Sequence, residues 1–270
     1  MIFRQLFDSI SCTYTYLLGG RPRGEALIID PVLEKADHYL RLLRELDLTL
    51  VKAIDTHVHA DHITALGVLR DKTHCVTVMG RMSEVDMVSM RVDEGDTIEI
   101  ENISLNVLYT PGHTDDSYSF VMSDRVFTGD ALFIRGTGRT DFQHGDNADA
   151  YNSLFNKLLK LPDDTLIYPG HDYKGDTVST IGEEKAFNPR LGGQLSQSDF
   201  IGYMDNLGLD HPKKMDIAVP ANLKCGRPDQ GDIPDDEPDW ANLTCTFAGI
   251  WEVQPLWLEE HPGVAQILDV

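Results

Sequence analysis

Thr56-His57-Val58-His59-Ala60-Asp61-His62 decides the reading of this chain. Three histidines and one aspartate fall within six residues, directly after the apolar run 50–54, which reads as a buried strand. A strand end followed by a helix start, expected over 61–70, can aim side chains at i, i+2, i+4 and i+5 into one cavity. Neutral imidazole and carboxylate are the ligand types of zinc and of non-haem iron. For this stretch alone, a surface cluster of histidines without a metal is the competing reading.

Working outward, three further loops carry the same kinds of residue. Thr110-Pro111-Gly112-His113-Thr114 follows a strand expected over 103–109. Phe127-Thr128-Gly129-Asp130 closes a strand expected over 125–128. Tyr168-Pro169-Gly170-His171-Asp172 follows a strand expected over 166–168. Each places one His or Asp in a turn shaped by Gly or Pro. Four such loops at strand ends, in order, disfavour the metal-free reading.

The remaining elements frame these loops. Short β-type runs occupy 2–7, 13–18 and 26–29, and further strands are expected over 76–79, 97–100 and 118–122. Leu40, Leu43 and Leu46 lie at helical spacing within 34–46, and Leu154, Leu158 and Leu161 do so within 147–161. Another helix is expected over 198–207. Strands and helices come in two similar rounds, each with His-containing loops. That pattern implies an α/β fold of layered sheets covered by helices on both outer sides.

Composition excludes several classes. The 270 residues hold 23 Lys and Arg against 44 Asp and Glu, a net charge of −21. Such acidity argues against a nucleic-acid backbone or an anionic membrane as partner. No apolar run approaches the ~18 residues that a membrane span needs. Residues 1–8 lack a basic start followed by an apolar run, so no secretion signal is expected and the location is read as cytoplasmic. Cys12, Cys75, Cys225 and Cys245 show no paired spacing and read as reduced thiols.

The four loops together resemble the metallo-β-lactamase superfamily, whose pattern is His-x-His-x-Asp-His, then His, then Asp, then His. His57, His59, Asp61, His62, His113, Asp130 and His171 fill all seven positions. The resemblance covers roughly the first 225 residues. It implies an αββα sandwich with the metal site at one edge of the two sheets. Three further segments narrow it: the run from Ile134 to Gln143, the run from Tyr168 to Thr180 with Asn188-Pro189-Arg190, and the run from Ile217 to Gly226. Together these are similar to the persulfide dioxygenases, which stand beside glyoxalase II but differ in reaction.

That resemblance implies one Fe(II) per chain, held by His57, His113 and Asp130. His59, Asp61, His62 and His171 then serve as partners orienting the ligands or as alternative ligands. The implied reaction oxidises glutathione persulfide with O2 to sulfite and glutathione, with no protein nucleophile. Tyr173, Arg139 and Lys224 are the residues implied for glutathione binding. Arg139 has a second candidate role, bracing the metal loop through hydrogen bonds. Cys225 reads as a thiol near the pocket rather than a catalyst. A homodimer and a link to a sulfurtransferase also fit the resemblance.

Two rivals remain. A glyoxalase II-like thioester hydrolase would use two zinc or iron ions sharing Asp130. A scaffold like the lactamase-like domain of flavodiiron proteins would carry Glu where this chain has His59. The organisation expected is a catalytic domain over 1–227, an acidic, proline-rich linker over 228–239 and a tail over 240–270. Within the tail, a strand, a helix and a strand are expected over 249–253, 255–260 and 264–270. The tail resembles the opening of a rhodanese domain but stops before a catalytic-cysteine loop. No sulfurtransferase activity is expected from it, and Trp240, Trp251 and Trp257 are its expected anchors.

Overall fold

In the computed structural model, alternation along the strands decides the layers. Residues 1–192, 195–209, 214–227, 244–245 and 251–252 are described. The first sheet contains β1 (Ile2–Asp8), β2 (Thr13–Gly19), β3 (Glu25–Ile29), β4 (Thr49–Ile54), β5 (Val76–Gly80) and β6 (Met90–Val92), side by side in that order. Pairing is antiparallel from β1 to β3 and parallel from β3 to β6. The second sheet contains β7 (Thr97–Ile100), β8 (Ile103–Tyr109), β9 (Tyr118–Val121), β10 (Arg125–Gly129), β11 (Leu166–Pro169) and β12 (Ser179–Thr180). These also lie in chain order, all antiparallel except the β10–β11 pair.

Successive residues on a strand face opposite sides. Tyr16, Leu18, Leu27, Ile29 and Ile54 of the first sheet therefore meet Leu105, Val107, Phe120, Phe127 and Tyr168 of the second in one buried layer. Their neighbours Leu17, Ala26, Ile28 and Ala53 point outward, where α1 (Ala36–Glu45) and α2 (Leu66–Thr73) cover them with Tyr39, Leu43, Leu66 and Leu69. On the far side, Val126 and Ile167 pack under α3 (Asn147–Asn152), α4 (Ile181–Phe187) and α5 (Gln197–Met204). The result is the expected four-layer αββα order. Truncating a central aromatic such as Phe127 to alanine would cost about 3–5 kcal/mol through lost contacts and a cavity.

Several elements differ from the sequence reading. The helix expected from residue 61 begins at Leu66. Residues 63–65 instead hand their backbone groups to other elements: Leu33 N donates to Ile63 O, Thr64 N to Asn222 Oδ1 and Ala65 N to Pro31 O. The helix expected over 147–161 is α-helical only to Asn152, then continues as a π turn over Ser153–Lys157 and a 3-10 turn over Leu158–Lys160. β6, α4 and α6 (Met215–Asn222) carry no clear periodic signal. β6 has only three residues, and Pro220 inside α6 reads as a helix breaker.

The chain divides into two units, Met1–Asp229 and Gln230–Val270. In the second, β13 (Thr244–Cys245) pairs antiparallel with β14 (Trp251–Glu252), which lies within the strand expected over 249–253. The expected linker over 228–239, the tail elements over 255–260 and 264–270, and Trp240 and Trp257 fall outside the described residues. Among the described residues, no helix is long and apolar enough to cross a membrane.

Candidate metal centre

Strand direction explains why the four loops converge. β8 and β10 both pair antiparallel with β9, and β10 runs parallel to β11, so β8, β10 and β11 share one direction. His113, Asp130 and His171 therefore leave the same end of the second sheet. The loop after β4 reaches them from the first sheet, tied across by Tyr118 N donating to Thr56 O at 2.9 Å. Two glycines permit the close approach. Gly129 has φ +50°, and a Cβ there would sit 2.7 Å from Thr56 Oγ1. A Cβ on Gly170 would sit 2.5 Å from Asp130 Oδ1.

His57, His113 and Asp130 form one group whose ligand atoms all lie within 4.8 Å of one another. His113 Nδ1 bonds the Arg139 carbonyl at 2.7 Å. A carbonyl only accepts, so Nδ1 carries a proton, and in the neutral ring Nε2 is the nitrogen that holds the lone pair. Thr56 Oγ1 donates to Asp30 Oδ2 at 3.0 Å and so accepts from His57 Nδ1, also at 3.0 Å. His57 Nε2 is thereby left free as well. Asp130 Oδ2 lies 3.5 Å from His113 Nε2, while its Oδ1 accepts from His171 Nδ1 at 2.7 Å.

His59, Asp61 and His62 form a second group of the same size. Here the carboxylate is already engaged: Asp61 Oδ2 receives His62 Nδ1 at 2.8 Å and His171 Nε2 at 2.9 Å. His59 faces Asp30 through Nε2 at 3.2 Å. His59 Nδ1 and His62 Nε2 are buried without a hydrogen-bond partner. A third group, Asp30, Asp55 and His59, is wholly buried, but Asp30 already serves Thr56 and His59.

Charge follows from this packing. Burial opposes protonation of His171, yet Asp130 and Asp61 on its two sides hold its pKa well above the usual imidazole value. Burial likewise opposes ionisation of Asp61 and Asp130. His171 and His62 nevertheless hold Asp61 well below the carboxylate range, and His171 with His113 does the same for Asp130. Burial and the neighbouring His59 push His57 well below its ordinary value. Burial also works against His59, but Asp30 raises it to about 9.

This donor set fits a metal ion. Each unpaired buried nitrogen costs about 1–3 kcal/mol of lost solvation, and a cation beside His62 Nε2 and His59 Nδ1, displacing the His59 proton, would remove that penalty. Two imidazole nitrogens with fixed tautomers and one carboxylate also match the two-His, one-carboxylate pattern of non-haem iron.

All seven motif residues are thus brought together. Four residues without a role in the sequence reading, three of them buried and Gln143 half-buried, hold the loop that carries four of them. The loop over 56–64 lacks regular structure, so its buried backbone groups need side-chain partners. Asp30 accepts from Thr56 N at 2.7 Å and Asp116 from Val58 N at 3.1 Å. Gln143 donates to Val58 O at 2.7 Å, and Asn222 donates to His59 O and His62 O. Asp30, at the end of an apolar strand and before Pro31, had a local signal. Gln143 and Asn222 had none beyond their segments, and Asp116 had none.

The residues expected to meet glutathione are more scattered. Tyr173 is 70% exposed and stacks on His171 with ring centres 6.0 Å apart. The Arg139 guanidinium pairs with Asp141 at 2.7 Å and donates to Leu209 O at 3.1 Å. Lys224 lies in the turn after α6, beside Cys225, whose carbonyl accepts from Gly67 N at 3.0 Å. Cys225 is buried, and burial pushes its thiol up to about 11.

Two facing sheets with outer helices, and a His/Asp metal cluster on loops at one end, define a metallo-β-lactamase-type sandwich. The pattern of the Metallo-beta-lactamase superfamily matches residues 13–171. "Persulfide dioxygenase ETHE1, mitochondrial" of Mus musculus is 50% identical over 229 residues, covering 84% of this chain and 89% of that protein. The Homo sapiens protein of the same name is 48% identical with the same coverage. The crystal structure of ETHE1 from Myxococcus xanthus superposes with a TM-score of 0.81 at 54% identity, covering 84% of this chain and 100% of that one. The chain belongs to the metallo-β-lactamase superfamily and, within it, to the persulfide dioxygenase family.

Proposed function

We propose that the chain is a persulfide dioxygenase that uses one Fe(II), held by His57, His113 and Asp130. Its reaction takes glutathione persulfide, O2 and water to glutathione, sulfite and two protons. The S–S bond breaks, the outer sulfur is oxidised and O2 is reduced. The observation that carries the metal assignment is the pair of fixed tautomers. Thr56 and the Arg139 carbonyl occupy both Nδ1 atoms and leave two Nε2 lone pairs beside Asp130. Family membership at 50% identity carries the reaction.

When bound, Fe(II) supplies the redox chemistry that lets O2 react with a persulfide sulfur, together with open coordination positions. The chain's own residues bind and orient. His171 fixes the Asp130 carboxylate through Oδ1 and so aims Oδ2 toward His113. Its other nitrogen meets Asp61, which ties the two groups into one network. Tyr173 presents a phenol at the exposed side of His171, where a glutathione amide or carboxylate can bond it. Lys224 is the proposed cation for a glutathione carboxylate. Of the two roles for Arg139, its hydrogen bonds favour bracing, since its carbonyl holds His113.

A two-metal thioester hydrolase has two supporting observations, the second group His59, Asp61 and His62 and the unpartnered buried nitrogens His59 Nδ1 and His62 Nε2 within it. Anaerobic Fe(II) titration separates the readings. Saturation at one equivalent per chain is expected; saturation at two, with hydrolysis of a glutathione thioester, would sink the proposal. The mammalian relatives bear mitochondrial names. A reducing compartment fits the free thiols Cys12, Cys75 and Cys225, and a cytoplasmic location remains our reading. We also keep the homodimer and the sulfurtransferase link as proposals, and the domain over 1–227 as the catalytic part.

A further inference from the structure

We infer that Asn222 is a positioning residue for the metal loop, acting through the turn 59–64 rather than on substrate. The inference rests on the metal-site reading above. Asn222 is the last residue of α6 and is 2% exposed. Its Nδ2 donates to His59 O and His62 O, both at 2.8 Å, and its Oδ1 accepts from Thr64 N at 2.9 Å. One amide therefore serves three backbone groups of a single turn. Only one orientation works, because flipping it would set Oδ1 against two carbonyls and the NH2 against an N–H. No other uncharged side chain of similar size offers two donors and an acceptor in that geometry.

The surrounding contacts key the end of α6 to the same turn. Gly226 has φ +75°, and a Cβ there would lie 2.0 Å from Thr64 O. Gly67, at the start of α2, donates to Cys225 O. The backbone points that Asn222 grips carry the two imidazoles whose outer nitrogens have no hydrogen-bond partner. The His59 ring also stands 4.3 Å from that of His57, the proposed ligand. Loosening the turn would therefore move His59 against His57 and alter the surroundings of the metal. Partners bonded directly to ligands typically contribute about 10–100-fold in metal affinity; Asn222 acts one contact further out, through His59, so a smaller effect is expected.

The test compares the full-length wild type with Asn222→Ala, Asn222→Asp and Val219→Ala. Asn222→Asp keeps the acceptor for Thr64 N but loses both donors, and it serves if the alanine variant fails to fold. Val219 packs in the same helix on the outer layer and controls for loss of packing alone. Three quantities are measured: Fe(II) affinity by chelator competition, the visible spectrum of the Co(II)-substituted protein, and melting of the metal-free chain. Both Asn222 variants should bind Fe(II) several-fold more weakly, at the low end of or below the about 10–100-fold typical of direct partners of ligands, and show a shifted Co(II) spectrum. Val219→Ala should lower melting while keeping the wild-type spectrum. Wild-type affinity and spectrum in the Asn222 variants would overturn the inference alone, as would Val219→Ala reproducing their shifts. A wild type that binds no Fe(II) would overturn the site reading and the inference with it.

Discussion

The two histidine–carboxylate groups at the sheet ends hold the same residue types, yet they are prepared differently. In the group of His57, His113 and Asp130, each imidazole is fixed from behind through Nδ1, and the carboxylate divides its oxygens between His171 and His113. In the group of His59, Asp61 and His62, one carboxylate oxygen already serves His62 and His171. The histidines there point opposite nitrogens at their supports, Nε2 for His59 and Nδ1 for His62. In the reading proposed above, the first group is the one that receives the ion. The second is a charged cluster in which Asp61 is already engaged, while His59 Nδ1 and His62 Nε2 have no hydrogen-bond partner. Ligand type alone does not distinguish them; the partners behind each ligand do.

The largest effect expected from this contrast is at Asp130. Asp130→Ala should abolish iron binding and turnover together, measured as iron content and oxygen uptake on one sample; retained iron with full activity would contradict the ligand assignment. Next comes the support behind His57. Thr56→Val removes the hydroxyl between Asp30 and His57 Nδ1, and metal affinity should fall about 10–100-fold by chelator competition. Unchanged affinity would mean that the tautomer relay is irrelevant.

Smaller effects sharpen the contrast from the other side. His62→Ala should leave one iron per chain and lower turnover by about tenfold. Complete loss of iron in that variant would shift the metal to the second group. The smallest effect is expected at Tyr173, which touches His171 from the open side. Tyr173→Phe removes one hydrogen bond worth roughly 1 kcal/mol, so KM for glutathione persulfide should rise several-fold while iron content stays constant. A fall in iron content would place Tyr173 among the supports of the metal instead.

The same contrast explains what the sequence reveals. β8 is legible to the residue, because alternation over Ile103–Tyr109 meets a buried face at every second position. The seven motif residues are legible because each lies in a turn directly after a strand. The start of α2 is not, because residues 61–65 run without a break signal into the helix while the backbone of 63–65 is claimed by Leu33, Asn222 and Pro31. Asp116, Gln143 and Asn222 are illegible for the same reason. Their work is to satisfy a loop 58 to 163 residues away in the chain, and no local pattern records such a bond. Sequence therefore displays both histidine–carboxylate groups, while the difference between them resides in long-range hydrogen bonds.

The most direct measurement is oxygen uptake by the iron-loaded protein on addition of glutathione persulfide, with sulfite assayed in the same vessel. One sulfite formed per O2 consumed, at one iron per chain, is the predicted result. No uptake despite confirmed Fe(II) occupancy would contradict the account.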